Sequence, residues 1–541
     1  MCIYRILPNG LRRGIIRFTP NQHIDRPISV SSKTSFFSVA GIVLAAACLY
    51  WLLWGNIGLR LADEGFLWSN SICTLHGDIP MRDMQSYDPG RYYWNAFWMQ
   101  WFGQGILGVR LAALVFQSMA LACVVLVLRR VTKSWGLLLL MVLVVAAWMN
   151  PLHKVYDHSL SIMSVYVAVL LLEQPTIKRY FFTGLFISLA AIIGRNHGLY
   201  NVLIFTMLGI YIHFKISKNA ASRKIIALLG GITTGYLPML IMLAVIPGFF
   251  DAAIVYSIHW LENLHATNIT LPVPWPWAID YRGLLPVFRM CAFLIGGLFI
   301  LLPLYYACVA VNLSCRESTF EKNDYKTVVV ASFFVGTVYL HYAFSRADLG
   351  HLALGIHPFL LGMMALSINR NRMRWQTCAA TAVLVISTVL TVGVNSPRYI
   401  QYISPSSYQL RQVQGDRLWV DRETLDIIDA VTTIHGRLGP GETMLFAPRW
   451  PGLYAVLGQR SPIWETFFLV KQLPEKEKQM VTQLKHSQTP LIILGDVPLD
   501  QRDDLRFRNT HPILYRYISD HYEPISEPSL PVAYQLWQRK S

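Results

Sequence analysis

Apolar runs of about 20 residues recur along most of this chain, and no other feature constrains its fold as strongly. A run of that length crosses a bilayer as a helix, because a helix satisfies its own backbone hydrogen bonds where no water can. We read about eleven such spans, at roughly 36–57, 109–128, 135–150, 159–173, 180–194, 198–214, 225–246, 287–312, 326–344, 351–368 and 377–394. The run at 135–150 is short for the purpose. Of 541 residues, 54% are hydrophobic and only 14% charged, too little charge to cover a soluble surface of this size. The expected fold is an all-α polytopic membrane domain over 36–394, preceded by a basic segment over 1–35.

After about residue 394 the pattern changes. Strand-like pieces ("ETMLFAP", 442–448; "TPLIILGD", 489–496; "VAYQLWQR", 532–539) alternate with helix-like ones ("DRETLDIIDAVTTIHGRL", 421–438; "LPEKEKQMVTQLKHS", 473–487). This reads as a small soluble α/β domain over 395–541. It carries no Gly-rich phosphate-binding loop.

A net charge of +16 is compatible with nucleic-acid binding, but its distribution argues otherwise. Arg and Lys concentrate between apolar runs, in "RRVTK" (129–133), "IKR" (177–179), "KISKNAASRK" (215–224), "RESTFEKNDYK" (316–326) and "RNRMR" (370–374), and in the first 35 residues. Such segments stay in the cytoplasm. An odd number of spans then places the C-terminal domain on the exoplasmic side of the cytoplasmic (inner) membrane. The basic start has no apolar signal-peptide core. Of eight cysteines, only Cys73 falls in an expected outer loop, so no outer disulfide and no Cys/His zinc cluster is expected.

The distinctive polar residues gather on the opposite, outer connections: Asp63, Glu64, Asp88 and Arg91; Lys154, Asp157 and His158; Arg195 and His197; His259, Glu262 and His265; Arg346, Asp348 and His351. Charged groups at the ends of spans are costly and usually functional. In the first outer loop, "SYDPGRYYWNAFWMQWFG" (86–103) has the aromatic content of a helix lying in the membrane interface. The prolines of "LPVPWPWAIDYRG" (271–283) exclude a regular helix there.

The acidic pair in "ADEG" (62–65), with "HGDIPMRDMQSYDPGRYYW" (76–94) and "GVRLAALVFQSMALACVVLVLRR" (108–130), resembles the GT-C glycosyltransferases. The resemblance is to the bacterial branch that includes the lipid A aminoarabinose transferase and the protein O-mannosyltransferases. The resemblance covers the first 200 or so residues and is architectural beyond them. It implies transfer of a sugar from a polyprenyl-phosphate carrier (undecaprenyl phosphate in a bacterium) to an envelope acceptor: lipid A or its core, a surface polysaccharide, or a protein. It also implies inversion at the anomeric carbon.

The residue types suit that chemistry. A carboxylate can take the proton of the attacking hydroxyl or amine. The resemblance assigns this to Asp63, the first of the pair, with Glu64 left to orient a sugar hydroxyl or the acceptor. The departing lipid phosphate needs cations, for which Arg346, Lys154, Arg195 and His197 are candidates. Arg91, Asp157, Asp348 and His351 complete the candidate set. Asp157 is either a second acidic site, a partner of Lys154, or the cap of the helix that starts near His158. In "SRADLGHLALGIHPF" (345–359) an Arg346–Asp348 pair is set against a lipid-phosphate role, and His357 reads as a packing residue. Asp63, Asp157 and nearby histidines are also candidates to converge on a divalent metal, and metal dependence stays open. The rival reading is a transporter or flippase of a lipid-linked saccharide. That function needs polar residues at mid-membrane depth rather than at one surface. A glycan ligase or polymerase and a noncatalytic assembly partner are weaker alternatives.

Overall fold

The computed structural model describes residues 32–255, 257–258, 270–315, 324–368 and 374–540. The basic segment 1–31, most of the connections at 316–326 and 370–374, and His259, Glu262 and His265 lie outside the described residues.

Each expected span coincides with a helix. These are α1 (Ser32–Tyr50), α4 (Ile106–Leu128), α5 (Trp135–Ala147), α6 (Val155–Glu173), α7 (Ile177–Ile193), α8 (Arg195–Lys215) and α9 (Ala221–Val245). Then come α10 (Pro286–Cys315), α11 (Asp324–Ser345), α12 (Leu349–Ser367) and α13 (Arg374–Thr388). Among the described residues, nine helical stretches are long and apolar enough to cross a bilayer, and α5 is a shorter apolar helix. The chain is a multi-pass membrane protein. Between the first two spans lie α2 (Asp63–Leu75) and α3 (Pro89–Phe102). With 13 and 14 residues they are about 20 Å long, too short to cross.

Local sequence explains several helix starts. Pro89 opens α3 at a position where its missing N–H costs nothing. The Asp348 carboxylate accepts from the His351 backbone N–H (2.8 Å) and caps α12. Helix α6 is enclosed by α4, α11 and α12, and the stretch Leu152–Glu173 is mostly buried inside the protein. Helix α9 is largely exposed, as a lipid-facing helix would be. It meets α7 backbone to backbone: a Cβ on Gly184 would stand 2.0 Å from the Leu228 carbonyl oxygen. Small residues permit such approach between membrane helices.

The C-terminal region holds two sheets. A hairpin of β1 (Tyr408–Val413) and β2 (Asp416–Asp421) turns at Gln414-Gly415, both with positive φ (47° and 85°), as a two-residue turn of matching twist requires. The larger sheet has the order β3-β4-β6-β5, with β3 (Met444–Ala447) and β4 (Leu491–Gly495) parallel and β5 (Tyr522–Ile525) and β6 (Tyr534–Arg539) antiparallel. Helices α14 (Arg422–His435), α15 (Gly452–Leu457), α16 (Pro474–Ser487) and α17 (Pro512–His521) complete it. Strands β3 and β4 are buried along their whole length, which suits their unbroken apolar sequences.

This region rests on the loop that leads into α2. Trp419 of β2 pairs with that loop through its N–H to the Asn56 carbonyl (2.9 Å) and its carbonyl to the Gly58 N–H (2.7 Å). The Gly452 N–H, at the start of α15, donates to the Leu61 carbonyl (2.8 Å). A Cβ on Gly452 would lie 2.9 Å from Gly65 Cα, so two glycines let α15 abut α2.

Candidate active site

The acidic pair divides as soon as α2 begins. Successive helical residues point about 100° apart, so one carboxylate faces inward and the other outward. Glu64 is buried, and its oxygens accept from Arg110 Nε (2.7 Å) and Nη2 (2.8 Å). The same guanidinium donates to the carbonyls of Gly55 (2.9 Å) and Gly58 (2.6 Å), which fixes the loop before α2. Burial raises the Glu64 carboxyl, but Arg110 outweighs it and holds the group below the usual carboxylate range. Asp63 keeps 43% of its side chain exposed. Its Oδ2 lies 4.0 Å from Nε2 of His153, in the 3₁₀ turn Leu152–Lys154 that leads into α6.

Beside Asp63, three chain segments bring their polar residues together. Lys154 Nζ donates to His351 Nε2 (3.1 Å), and His351 Nδ1 donates to Asp348 (2.9 Å). That pattern assigns the His351 tautomer: its Nδ1 carries the proton and Nε2 is free to accept. Burial raises the Asp348 carboxyl, but the hydrogen bonds from the His351 ring and backbone and the nearby Lys154 charge pull it well below the ordinary value. One helical turn on from Lys154, Asp157 accepts from His197 Nε2 (2.7 Å), and His197 Nδ1 accepts from the Tyr339 hydroxyl (2.7 Å). Arg91 Nη2 stands 3.5 Å from the same Asp157 oxygen, while its Nε donates to the Ile193 carbonyl (3.0 Å). Lys154 lies within electrostatic reach of Asp63, Asp157, Asp348 and Arg346.

The C-terminal region closes one side. Arg346 forms a two-pronged pair with Asp500, at 2.6 and 2.9 Å, and a further bond to Asp348 at 3.1 Å. Asp500 and Gln501 both hold positive φ (52° and 60°) without being glycine, the sort of local strain that surrounding contacts must sustain.

Eight of the residues singled out from sequence therefore share one mouth: Asp63, Arg91, Lys154, Asp157, His197, Arg346, Asp348 and His351. Two are turned elsewhere. Glu64 faces Arg110, and Arg195 faces Asp88 (2.7 Å) and Ser257 on the flank of the bundle. Sequence reasoning passed over His153, Tyr339, Arg110 and Asp500. Arg110 had a signal, since a lone arginine within an apolar run demands a partner. Asp500 had none, being 154 residues from Arg346. Among the described residues, no group of three His, Cys, Asp or Glu side chains is arranged to hold a metal. His357 is buried, with its ring 5.1 Å from that of His158.

No family model matches this chain, and no curated protein matches it by sequence. Its fold does match solved structures. ArnT from Cupriavidus metallidurans in the apo state aligns over 93% of this chain and 98% of its own, with 12% identity and a TM-score of 0.55. The same protein bound to undecaprenyl phosphate aligns over 94% and 98%, with 12% identity and a TM-score of 0.49. The archaeal oligosaccharyltransferase AglB from Archaeoglobus fulgidus, in complex with an inhibitory peptide and a dolichol-phosphate, aligns over 94% and 75%, with 11% identity and a TM-score of 0.45. The match to apo ArnT shows that the chain shares that protein's overall fold.

Proposed function

We propose that this protein is a membrane glycosyltransferase that moves a sugar from a polyprenyl-phosphate carrier to an envelope acceptor. The observation that carries the reading is the mouth itself. A partly exposed carboxylate, Asp63, stands beside cations that are braced in place, Lys154 by His351 and Arg91 by Asp157. Fixed positive groups beside a free base are what displacement of a phosphate requires. The GT-C fold supports the reaction class.

In this scheme the acceptor hydroxyl or amine loses its proton to Asp63 as its oxygen or nitrogen bonds to the anomeric carbon. The bond from that carbon to the phosphate oxygen breaks on the opposite side, and its electron pair stays on the phosphate. A single displacement of this kind inverts the anomeric carbon. Lys154 receives the growing phosphate charge as a point charge, and Arg346, its fork engaged by Asp500 and Asp348, adds a fixed positive charge beside it. Asp157, held between His197 and Arg91, orients the sugar or the acceptor. Glu64 acts with Arg110 to hold the α2 loop rather than touching substrate. The basic connections support an N-terminus in the cytoplasm and a mouth, with its α/β domain, on the outer face of the inner membrane. A flippase is less well supported, because the cluster stands at one end of the bundle rather than along a path through it.

The test is mass spectrometry of envelope lipids, glycans and surface proteins from three strains: wild type, deletion, and deletion complemented with Asp63→Asn shown to be folded and membrane-inserted. Loss of one sugar from a defined acceptor in the deletion and in the variant supports the transferase and names the acceptor. A wild-type pattern in the variant removes Asp63 as the base and advances the transporter.

A further inference from the structure

The mouth contains one group that the scheme above does not use. His153 is nearly enclosed, with 10% of its side chain exposed, and its Nε2 has no hydrogen-bond partner among the described residues. A buried ring nitrogen left unpaired costs about 1–3 kcal/mol, so its persistence calls for a reason. The atom it faces is Asp63 Oδ2, at 4.0 Å. That is beyond a direct hydrogen bond but within a small side-chain shift of one. The turn holding His153 packs on α2, α4 and α6. The charged groups facing it are Asp63 and Glu64 of α2, Arg60 of the preceding loop and its neighbour Lys154. Of these, Glu64 is engaged by Arg110, which is also the charge of α4, and Lys154 by His351. Asp63 remains as the nearest open partner.

We propose that His153 is the proton partner of Asp63, the second station for the proton taken from the acceptor. The inference rests on the proposed role of Asp63 as base. When the acceptor attacks, its O–H or N–H proton passes to Asp63 as the bond to the anomeric carbon forms and the carbon–phosphate oxygen bond breaks. The proton then moves from Asp63 to the lone pair of His153 Nε2, leaving an imidazolium beside a carboxylate. Asp63 is thereby restored as a base without waiting for bulk water. His153 touches neither sugar nor phosphate and acts through Asp63, so it is a positioning and relay residue.

The experiment measures initial transfer rates against pH in membrane vesicles from the producing strain, which carry its own donor and acceptor pools. Wild type, Asp63→Asn, His153→Gln and His153→Ala are compared at equal folded protein. The relay predicts that His153→Gln, which keeps a hydrogen-bonding group but cannot take a proton, lowers the rate about 100-fold. Free imidazole should restore part of the rate to His153→Ala, which a packing role would not allow. A His153→Gln variant with wild-type rate and profile, alongside an inactive Asp63→Asn, overturns the relay and leaves the base standing. Failure of imidazole to rescue a folded His153→Ala also overturns it. Full activity in Asp63→Asn overturns both readings.

Discussion

Two carboxylates one residue apart, Asp63 and Glu64, belong to different regions of the molecule. The region under Glu64 is closed, with a buried fork from Arg110 that also holds the Gly55 and Gly58 carbonyls of the loop. The region over Asp63 is open to water, and its nearest buried neighbour, His153, has an unpaired nitrogen. The contrast shows how this fold keeps an exposed carboxylate steady. The rigid member of the pair anchors the turn, and the free member inherits its position.

The strongest way to break this comparison is to exchange the expected consequences. Asp63→Asn should reduce transfer about 100- to 10,000-fold while leaving thermal unfolding unchanged, because the side chain is partly exposed and makes no buried pair. Product analysis beside a melting curve would check both halves. Removing the anchor should act the other way. Arg110→Met leaves Glu64 buried and unpaired, which costs about 3–5 kcal/mol. The measurement is the unfolding midpoint in detergent, with lost activity following lost fold. An Arg110→Met protein as stable as wild type would make the two regions alike.

Docking of the C-terminal region sharpens the picture. In Gly452→Val the new side chain meets Gly65 Cα and the Leu61 carbonyl, both 2.9 Å from the glycine's Cβ position. Both contacts are backbone, so α15 should lift from α2, increasing protease sensitivity of the 448–460 segment and lowering activity about 10-fold or more by displacing Asp63. Asp500→Asn is milder. It loses the charge of the Arg346 pair but keeps the loop, and should change donor affinity more than turnover.

The smallest effect concerns pH. Arg346 holds the Asp500 carboxyl below its usual value, and Asp348 and Glu64 are held low as described. A carboxylate depressed in the folded state stabilises it above the unfolded value, about 4, and that contribution is lost as pH falls through the folded one. The unfolding midpoint should therefore be flat from neutral pH to about 5 and decline below about 4. In Asp500→Asn the decline should be shallower, which a pH series of melting curves would detect.

How much was legible follows from the range of each interaction. The spans were read well because lipid demands long apolar helices, a rule that acts on contiguous residues. Strands β3, β4 and β6 and helices α14 and α16 were legible for the same local reason. The β1–β2 hairpin was not: its alternation is diluted by Arg and Gln, and "QG" is a weaker turn signal than Asn-Gly. The acidic pair, Lys154, Asp157 and Asp348 stood out as charges at the ends of apolar runs.

The sequence by itself thus determined which segments enter the bilayer and which titratable groups stand at its edge, since both are set by the hydration cost of neighbouring residues. It could not divide Asp63 from Glu64. That depended on Arg110, 46 residues on, and on the azimuth at which α4 meets α2. Nor could it seat Asp500 on Arg346 or aim His153 at Asp63. Partners distant in sequence meet only when the helices pack, and the pairing of a buried charge is decided by geometry rather than by composition.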